Sequence, residues 1–197
     1  MITLREIRSA LTGVIELARG DIIGLSYFEN SAHGAWRSFW AALVVAPAWV
    51  LLLAVDQQPM TAGPTAMIAV QTIDYALLWS TFPLVLYEIL SRTGHADRLC
   101  LYISMRNWAS VIETPAMLFA AAFAVAVPYD AAQVVPLLVM VLIFAYEWFL
   151  ARVGLKVGLG AAAAVAALDF LLSLIIQLTA DLLLGAGTVI DAGVPQP

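Results

Sequence analysis

Five apolar stretches, separated by short polar segments, constrain this chain more than any other feature of its sequence. They cover residues 35–55, 66–90, 107–127, 131–150 and 160–184. An α-helix rises about 1.5 Å per residue, so about 20 apolar residues cross a hydrocarbon core about 30 Å thick. The sequence therefore predicts an all-α polytopic membrane protein, with a five-transmembrane-helix bundle as the domain over residues 35–184.

The composition excludes an ordinary soluble domain. Of the 197 residues, 63% are hydrophobic and 12% are charged, and the mean hydropathy is +0.94. Soluble domains are about half apolar and about a quarter charged, so the surplus apolar surface here must face lipid. The net charge of −5 does not indicate nucleic-acid binding, and the single cysteine, Cys100, excludes an intrachain disulfide.

The basic residues lie on alternate connections between the stretches. Four precede or begin the first stretch, three join the second to the third, and two join the fourth to the fifth: Arg5, Arg8, Arg19 and Arg37, then Arg92, Arg98 and Arg106, then Arg152 and Lys156. Cytoplasmic loops carry the excess of arginine and lysine. We therefore expect a cytoplasmic N-terminus, five crossings, and residues 185–197 as a flexible tail outside.

Residues 1–34 are predicted to form a cytoplasmic amphipathic helix followed by a connector. Thr3 and Glu6 have the spacing of a capping box, which satisfies two N–H groups at a helix start. Apolar residues then recur at helical spacing, at Leu4, Ile7, Leu11, Val14 and Ala18. Such a helix can lie on the membrane surface or pack on the cytoplasmic face of the protein itself, and the pattern does not separate the two.

Two carboxylates near the cytoplasmic ends of spans are predicted to form interfacial ion pairs. Glu88 lies one helical turn before Arg92, and Glu147 lies close to Arg152. Charged side chains at such positions reach water at the interface while their stems remain in apolar surroundings.

Three deeper carboxylates, Asp74, Glu113 and Asp169, form the candidate intramembrane polar site. An ionised acid in hydrocarbon is costly, so such side chains face the bundle interior and have partners. We expect no basic residue at the depth of Asp74 and Asp169, which would then be protonated or hydrogen-bonded to neighbouring helices through Ser80, Thr81, Ser173 or Gln177. An interhelical hydrogen bond is the favoured interpretation, and a proton or cation site near the midplane is the alternative.

No motif of a known catalytic class is present. The sequence has no H-E-x-x-H, G-x-S-x-G or P-loop pattern, and His33 and His95 are far apart along the chain. We therefore expect no enzymatic activity, no cofactor and no metal site.

Two segments carry a resemblance to a known family. They are Trp36-Arg37-Ser38-Phe39-Trp40 continuing to Pro47, and Tyr146-Glu147-Trp148. With five spans and a cytoplasmic N-terminus, residues 35–184 resemble the YIP family, membrane proteins named for interaction with Rab-type GTPases, and its bacterial relatives in particular. The resemblance implies residence in a membrane, here the bacterial inner membrane.

Two functions are compatible with these features. The favoured one is a non-catalytic scaffold or accessory subunit, whose N-terminal helix and basic loops bind membrane lipids and other membrane protein subunits or a second copy of the chain. The alternative is a small proton- or cation-coupled transporter or channel that uses Asp74, Glu113 and Asp169.

Overall fold

The computed structural model describes residues 2–55, 61–94, 96–128 and 132–185. Within those ranges the chain is helical and has no strand, so the predicted all-α class is confirmed. Short 3₁₀-helices cover Ile22–Tyr27 and Ala96–Arg98. The α-helices are α1 (Leu4–Ala18), α2 (Ala32–Ser38), α3 (Trp40–Val55), α4 (Pro64–Thr93), α5 (Leu99–Ala126), α6 (Val134–Leu155) and α7 (Leu159–Leu184).

Five helical segments in the described part of the chain are long and apolar enough to cross a membrane. They are Ala32–Val55, Pro64–Thr93, Ala96–Ala126, Val134–Leu155 and Leu159–Leu184. The first contains both α2 and α3, with a break at Phe39. The predicted number of spans is therefore confirmed, and the chain has the architecture of an integral membrane protein.

The third and fourth spans do not have the predicted bounds. The third was expected to begin at residue 107, but α5 begins at Leu99. Its first turns are apolar and buried, with Tyr102 and Met105 fully inaccessible, because other helices cover this end of α5. The fourth span continues to Leu155, whereas residue 150 was expected. Of the predicted tail, only Gly185 lies within the described residues.

Helix α5 is the centre of the bundle. It packs against α1, α2, α3, α4 and α6, while α7 lies against both α4 and α6. A buried hydrogen bond from Asn107 Nδ2 to Ser38 Oγ, 2.8 Å long, joins α5 to α2. Because helices surround α5, a charged side chain on it can lie far from lipid.

Hydrogen bonds to backbone carbonyls identify the two ends of the bundle. At one end, the Thr61 and Ala62 N–H groups donate to the Leu184 carbonyl at 3.1 and 3.2 Å. At the other end, Arg98 Nε donates to the Gly154 carbonyl at 2.6 Å. We call these the α7-terminal end and the basic end, since Arg92, Arg98, Arg152 and Lys156 lie at the second one. Helix α1 packs there too.

The N-terminal helix has the predicted capping box and packs on the bundle. The Thr3 N–H donates to Glu6 Oε2 at 2.8 Å, and the Glu6 N–H donates to Thr3 Oγ1 at 3.3 Å. The side chains of Val14 and Leu17 are 0% and 1% exposed, and the Tyr146 hydroxyl donates to the Val14 carbonyl at 2.9 Å. Of the two alternatives for this helix, packing on the protein is therefore the one observed.

Two glycines allow the first 3₁₀-helix to lie directly on α1. A Cβ atom on Gly24 would lie 2.5 Å from the Gly13 carbonyl oxygen and 2.6 Å from Leu17 Cγ. A Cβ atom on Gly13 would lie 2.6 Å from the ring of Phe28. The connector can therefore fold back against α1 only with glycine at these positions.

Candidate functional site

The polar centre of the bundle is built around Arg106 on α5. Its Nε and Nη2 atoms donate to Asp169 Oδ2 on α7, at 3.0 and 2.7 Å. Glu147 on α6 approaches from another side, with its Oε1 3.7 Å from Nε. Glu113, two turns further along α5, lies beside Glu147. We call Arg106, Glu113, Glu147 and Asp169 the Arg106 cluster; three helices supply it.

Helical spacing explains how α5 presents its share of the cluster. Arg106, Ser110 and Glu113 follow at intervals of four and three residues, so they lie on one face of the helix. Arg106 Nη1 is 3.1 Å from Ser110 Oγ. The ring of Phe82 on α4 lies 5.7 Å from the guanidinium carbon, a distance typical of a cation–π contact. The arginine is thus held from several sides.

The cluster is buried. Glu113, Glu147 and Asp169 are 9%, 5% and 5% exposed. Among the described residues, Glu113 Oε1, both carboxylate oxygens of Glu147 and Asp169 Oδ1 have no hydrogen-bond partner. The hydroxyl of Tyr102, one turn before Arg106, also has no hydrogen-bond partner among the described residues. Buried carboxylate oxygens without donors are costly if they carry charge.

The charges of the cluster do not balance. One guanidinium faces three carboxylates, which leaves an excess of two negative charges if all three are ionised. Asp169 is the carboxylate that Arg106 neutralises best, because two N–H groups bind one of its oxygens. Glu113 and Glu147 lie side by side, and neither receives a hydrogen bond from the Arg106 guanidinium. Neighbouring buried carboxyls can avoid like-charge repulsion by holding a proton.

The structure brings together two of the three residues predicted for the intramembrane site. Glu113 and Asp169 belong to the Arg106 cluster, whereas Asp74 lies on α4 toward the α7-terminal end, also buried at 5% exposure. The expectation that Asp169 has no basic partner is wrong. Arg106 was assigned to the loop before the third span, but α5 carries it into the bundle, where Asp169 compensates its charge.

Of the two predicted interfacial ion pairs, the structure contains one. Arg92 and Glu88 form the expected pair, with Arg92 Nε 2.6 Å from Glu88 Oε1 at the exposed end of α4. The second prediction is wrong: Glu147 is buried and faces Arg106, while Arg152 lies over the Trp148 ring at 5.9 Å. The glutamate belongs to the bundle interior because α6 continues to Leu155, which places it two turns inside the helix end.

Sequence reasoning did not assign Arg106, Ser110 and Tyr102 to the site. The available signal was the spacing of Arg106 and Glu113, seven residues apart and therefore on one helical face. A metal site was not expected, and no group of three or more His, Cys, Asp or Glu side chains in the described part of the chain could hold a metal ion.

No protein-family model, curated protein or solved structure matches this chain.

Proposed function

We propose that this protein moves protons across a membrane and that the Arg106 cluster is its proton-binding site. The observation that carries the proposal is the buried set of three carboxylates around one arginine. Ionisable residues inside membrane bundles are expensive, and their usual roles include proton relays. A cluster that is neutral only when protons bind can load and release them.

The geometry gives the carboxylates different roles in this mechanism. Asp169 is the counter-ion of Arg106, because two N–H groups of the guanidinium bind its Oδ2 atom. Glu113 and Glu147 carry the proton, since neither receives a hydrogen bond from the guanidinium. Arg106 supplies a fixed positive charge near both, so that a glutamate which releases its proton is not left in apolar surroundings with no opposite charge.

A purely structural role for the Arg106–Asp169 ion pair does not explain why Glu113 and Glu147 are buried beside it. A salt bridge between α5 and α7 needs Arg106 and Asp169 alone. Glu113 and Glu147 add desolvation cost and mutual repulsion without forming a hydrogen bond to the pair, although Glu147 Oε1 lies 3.7 Å from Arg106 Nε. Their burial beside it is explained by a role in proton binding.

Proton flux in proteoliposomes tests the proposal. Purified protein is reconstituted with a pH-sensitive dye trapped inside, and a potassium diffusion potential drives protons inward. We expect the parent to acidify the lumen faster than protein-free liposomes, and Glu113→Gln and Glu147→Gln each to reduce flux to the protein-free rate. Glu88→Gln is the matched control, because Glu88 is exposed and paired with Arg92; it should retain parental flux. A parent that does not exceed protein-free liposomes would disprove the proposal.

A second candidate function rests on the outward surface of the N-terminal segment. Leu4, Ile22 and Ile23 are 85%, 62% and 59% exposed, and Arg5 and Arg8 of the same segment are exposed as well. A surface that combines apolar and basic side chains fits anionic lipid headgroups or another membrane protein. This supports a YIP-like accessory subunit or scaffold that binds a second subunit or a second copy of the chain. Extraction in mild detergent should then recover an oligomer or complex, and a monodisperse monomer without a copurifying protein would argue against it.

We also propose how the bundle is oriented in the membrane. Basic side chains gather at the end of the bundle where α1 packs, which supports a cytoplasmic N-terminus and a C-terminus outside. We place the protein in a bacterial inner membrane on the same reasoning.

A further inference from the structure

A second buried carboxylate lies outside the Arg106 cluster, at the interface of α4 and α7. Asp74 is 5% exposed, and its Oδ1 atom has no hydrogen-bond partner among the described residues. It lies about 15 Å along α4 from Pro64, in the half that ends at the α7-terminal end. A carboxylate oxygen in such a position, with no donor, is stable when it holds a proton.

The surroundings of Asp74 contain a second carboxylate and no cation. Asp181 on α7 interacts with it electrostatically. The other charged groups on the helices packed against α4 are Asp169 on α7, Arg106 and Glu113 on α5, and Asp97 and Arg98 on the short 3₁₀-helix at the basic end. Helix α3 has no titratable side chain between Trp40 and Val55, and no basic residue occurs in residues 64–81 or 159–184. Neutralisation by a salt bridge is therefore not available to Asp74.

Polar side chains connect this position to the Arg106 cluster. On α7, Asp169, Ser173, Gln177 and Asp181 follow at intervals of four residues, or about 6 Å along the helix axis. Residues four apart lie on neighbouring positions of one slowly turning helix face. Helix α4 runs antiparallel along α7, and its Phe82 contacts Arg106. Of these four residues, Asp169 is buried and Ser173 and Asp181 are half-buried, whereas Gln177 is exposed.

We propose that Asp74 is a second proton-binding site, with Asp181 as its acidic neighbour, and that Ser173 on α7 joins it to Asp169 of the Arg106 cluster. This inference rests on the proposed proton transport and names the route toward the α7-terminal end. Asp74 receives a proton from that side, and Ser173, one turn from Asp169 on α7, is the polar residue that leads on to the cluster. The proton is the ligand because Asp74 is buried with an unpartnered carboxyl oxygen, and no group of three or more His, Cys, Asp or Glu side chains in the described part of the chain is placed to hold a metal ion.

Infrared difference spectroscopy of the reconstituted full chain tests the site directly, since a protonated carboxyl has a C=O stretching band that disappears on ionisation. In a pH titration, we expect one such band to be absent from Asp74→Asn and present, at a changed frequency, in Asp74→Glu. Asp181→Asn should keep the band but let it disappear at lower pH, because a neighbouring negative charge has been removed. Asp97→Asn is the matched control, because Asp97 is exposed at the basic end, and it should leave the Asp74 band unchanged.

The outcomes separate this inference from the proposed function. If Asp74→Asn removes no band, Asp74 is not a proton site, while the flux experiment on Glu113 and Glu147 still decides the function of the cluster. If the Asp74 band is present but Glu113→Gln and Glu147→Gln keep parental flux, the second site stands and the cluster mechanism is wrong. Support for the route requires Asp74→Asn to lower proton flux relative to Asp97→Asn, and equal flux in these two variants would overturn it.

Discussion

At the scale of single residues, Arg106 determines how three carboxylates can coexist inside the bundle. Its guanidinium donates to Asp169 and Ser110 and lies against the Phe82 ring, so most of its binding capacity is used. Removing one partner from a buried ion pair costs more than the pair contributes, because an uncompensated charge remains in apolar surroundings. Arg106 should therefore be essential for the stability of this membrane domain.

Arg106→Gln is expected to lower the free energy of unfolding by about 3–5 kcal/mol, the usual cost of breaking a buried pair. The double variant Arg106→Gln/Asp169→Asn should be less destabilised than the sum of the single variants, with a coupling energy of about 0.5–3 kcal/mol. Unfolding in mixed detergent micelles measures both. Arg152→Gln is the control, because Arg152 only contacts the Trp148 ring; its effect should stay within about 1 kcal/mol. Equal effects at positions 106 and 152 would contradict the assigned role.

The sequence identified the acids of this site more reliably than its base. Glu113 and Asp169 stand out because carboxylates are rare in apolar stretches. Arg106 was assigned to a cytoplasmic loop, because arginines between spans usually mark such loops. The pairing with Asp169 joins residues 63 positions apart, and no periodicity within one helix predicts which helices become neighbours. The burial of Glu147 depends on the same tertiary arrangement.

At the scale of elements, the best predicted helix was α1 and the least well predicted was α5. The capping box and the apolar spacing of α1 are local properties, and local properties can be recognised in sequence. The first turns of α5 were interpreted as loop because they follow a polar segment. They are helical because Leu101, Tyr102 and Met105 are buried against other parts of the protein. That burial is a tertiary effect.

The glycine contact between α1 and the connector should be sensitive to one added methyl group. In Gly24→Ala the new Cβ would overlap the Gly13 carbonyl oxygen and Leu17, so the connector must move away from α1. We expect a loss of about 1–3 kcal/mol in local stability. Hydrogen exchange of the amides in Leu4–Ala18 measures it as faster exchange. Gly160→Ala is the control, since no neighbouring atom lies within 4 Å of its added Cβ; unchanged exchange in Gly24→Ala would show that the contact is unimportant.

The start of α1 should respond to acid through Glu6. The pKa of Glu6 lies below its ordinary value of 4.5, because the Thr3 backbone N–H, the Thr3 hydroxyl and the Arg37 guanidinium all favour the carboxylate. A carboxyl with a lowered pKa in the folded state stabilises that state above its unfolded pKa and loses this contribution as the pH falls through the folded pKa. Parent and Glu6→Gln should therefore differ in stability at neutral pH, and the difference should decline as the pH falls below the ordinary pKa of 4.5 and vanish below the lowered pKa of the folded state.

Unfolding curves of the two proteins across this pH range provide the measurement. Repeating the comparison with Thr3→Ala in both should reduce the difference at neutral pH, because the hydroxyl hydrogen bond has been removed. A difference that persists unchanged into acid would show that another group is responsible.

At the scale of the whole molecule, the two ends of the bundle have opposite characters. The basic end has α1 packed on it and carries Arg92, Arg98 and Lys156, while the α7-terminal end lies toward Asp74 and Asp181. The Arg106 cluster lies between them, beyond the first two turns of α5 and α7. A proton that crosses the protein must therefore pass from one chemically distinct end to the other, and the direction of that path depends on how the bundle is inserted.

Cysteine labelling determines the insertion. Cys100 is first replaced by serine, and single cysteines are then introduced as Lys156→Cys at the basic end and Ala62→Cys at the α7-terminal end. In intact cells, a membrane-impermeant maleimide should label the cysteine at position 62 and leave the one at position 156 unlabelled until the membrane is permeabilised. Both positions lie at the ends of helices, so each reports on the end to which it belongs. If position 156 were labelled in intact cells and position 62 were not, the bundle would be inverted. The proposed route through Asp74 would then open to the cytoplasm, because Asp74 lies in the half of α4 that ends at the α7-terminal end, whichever way the bundle is inserted.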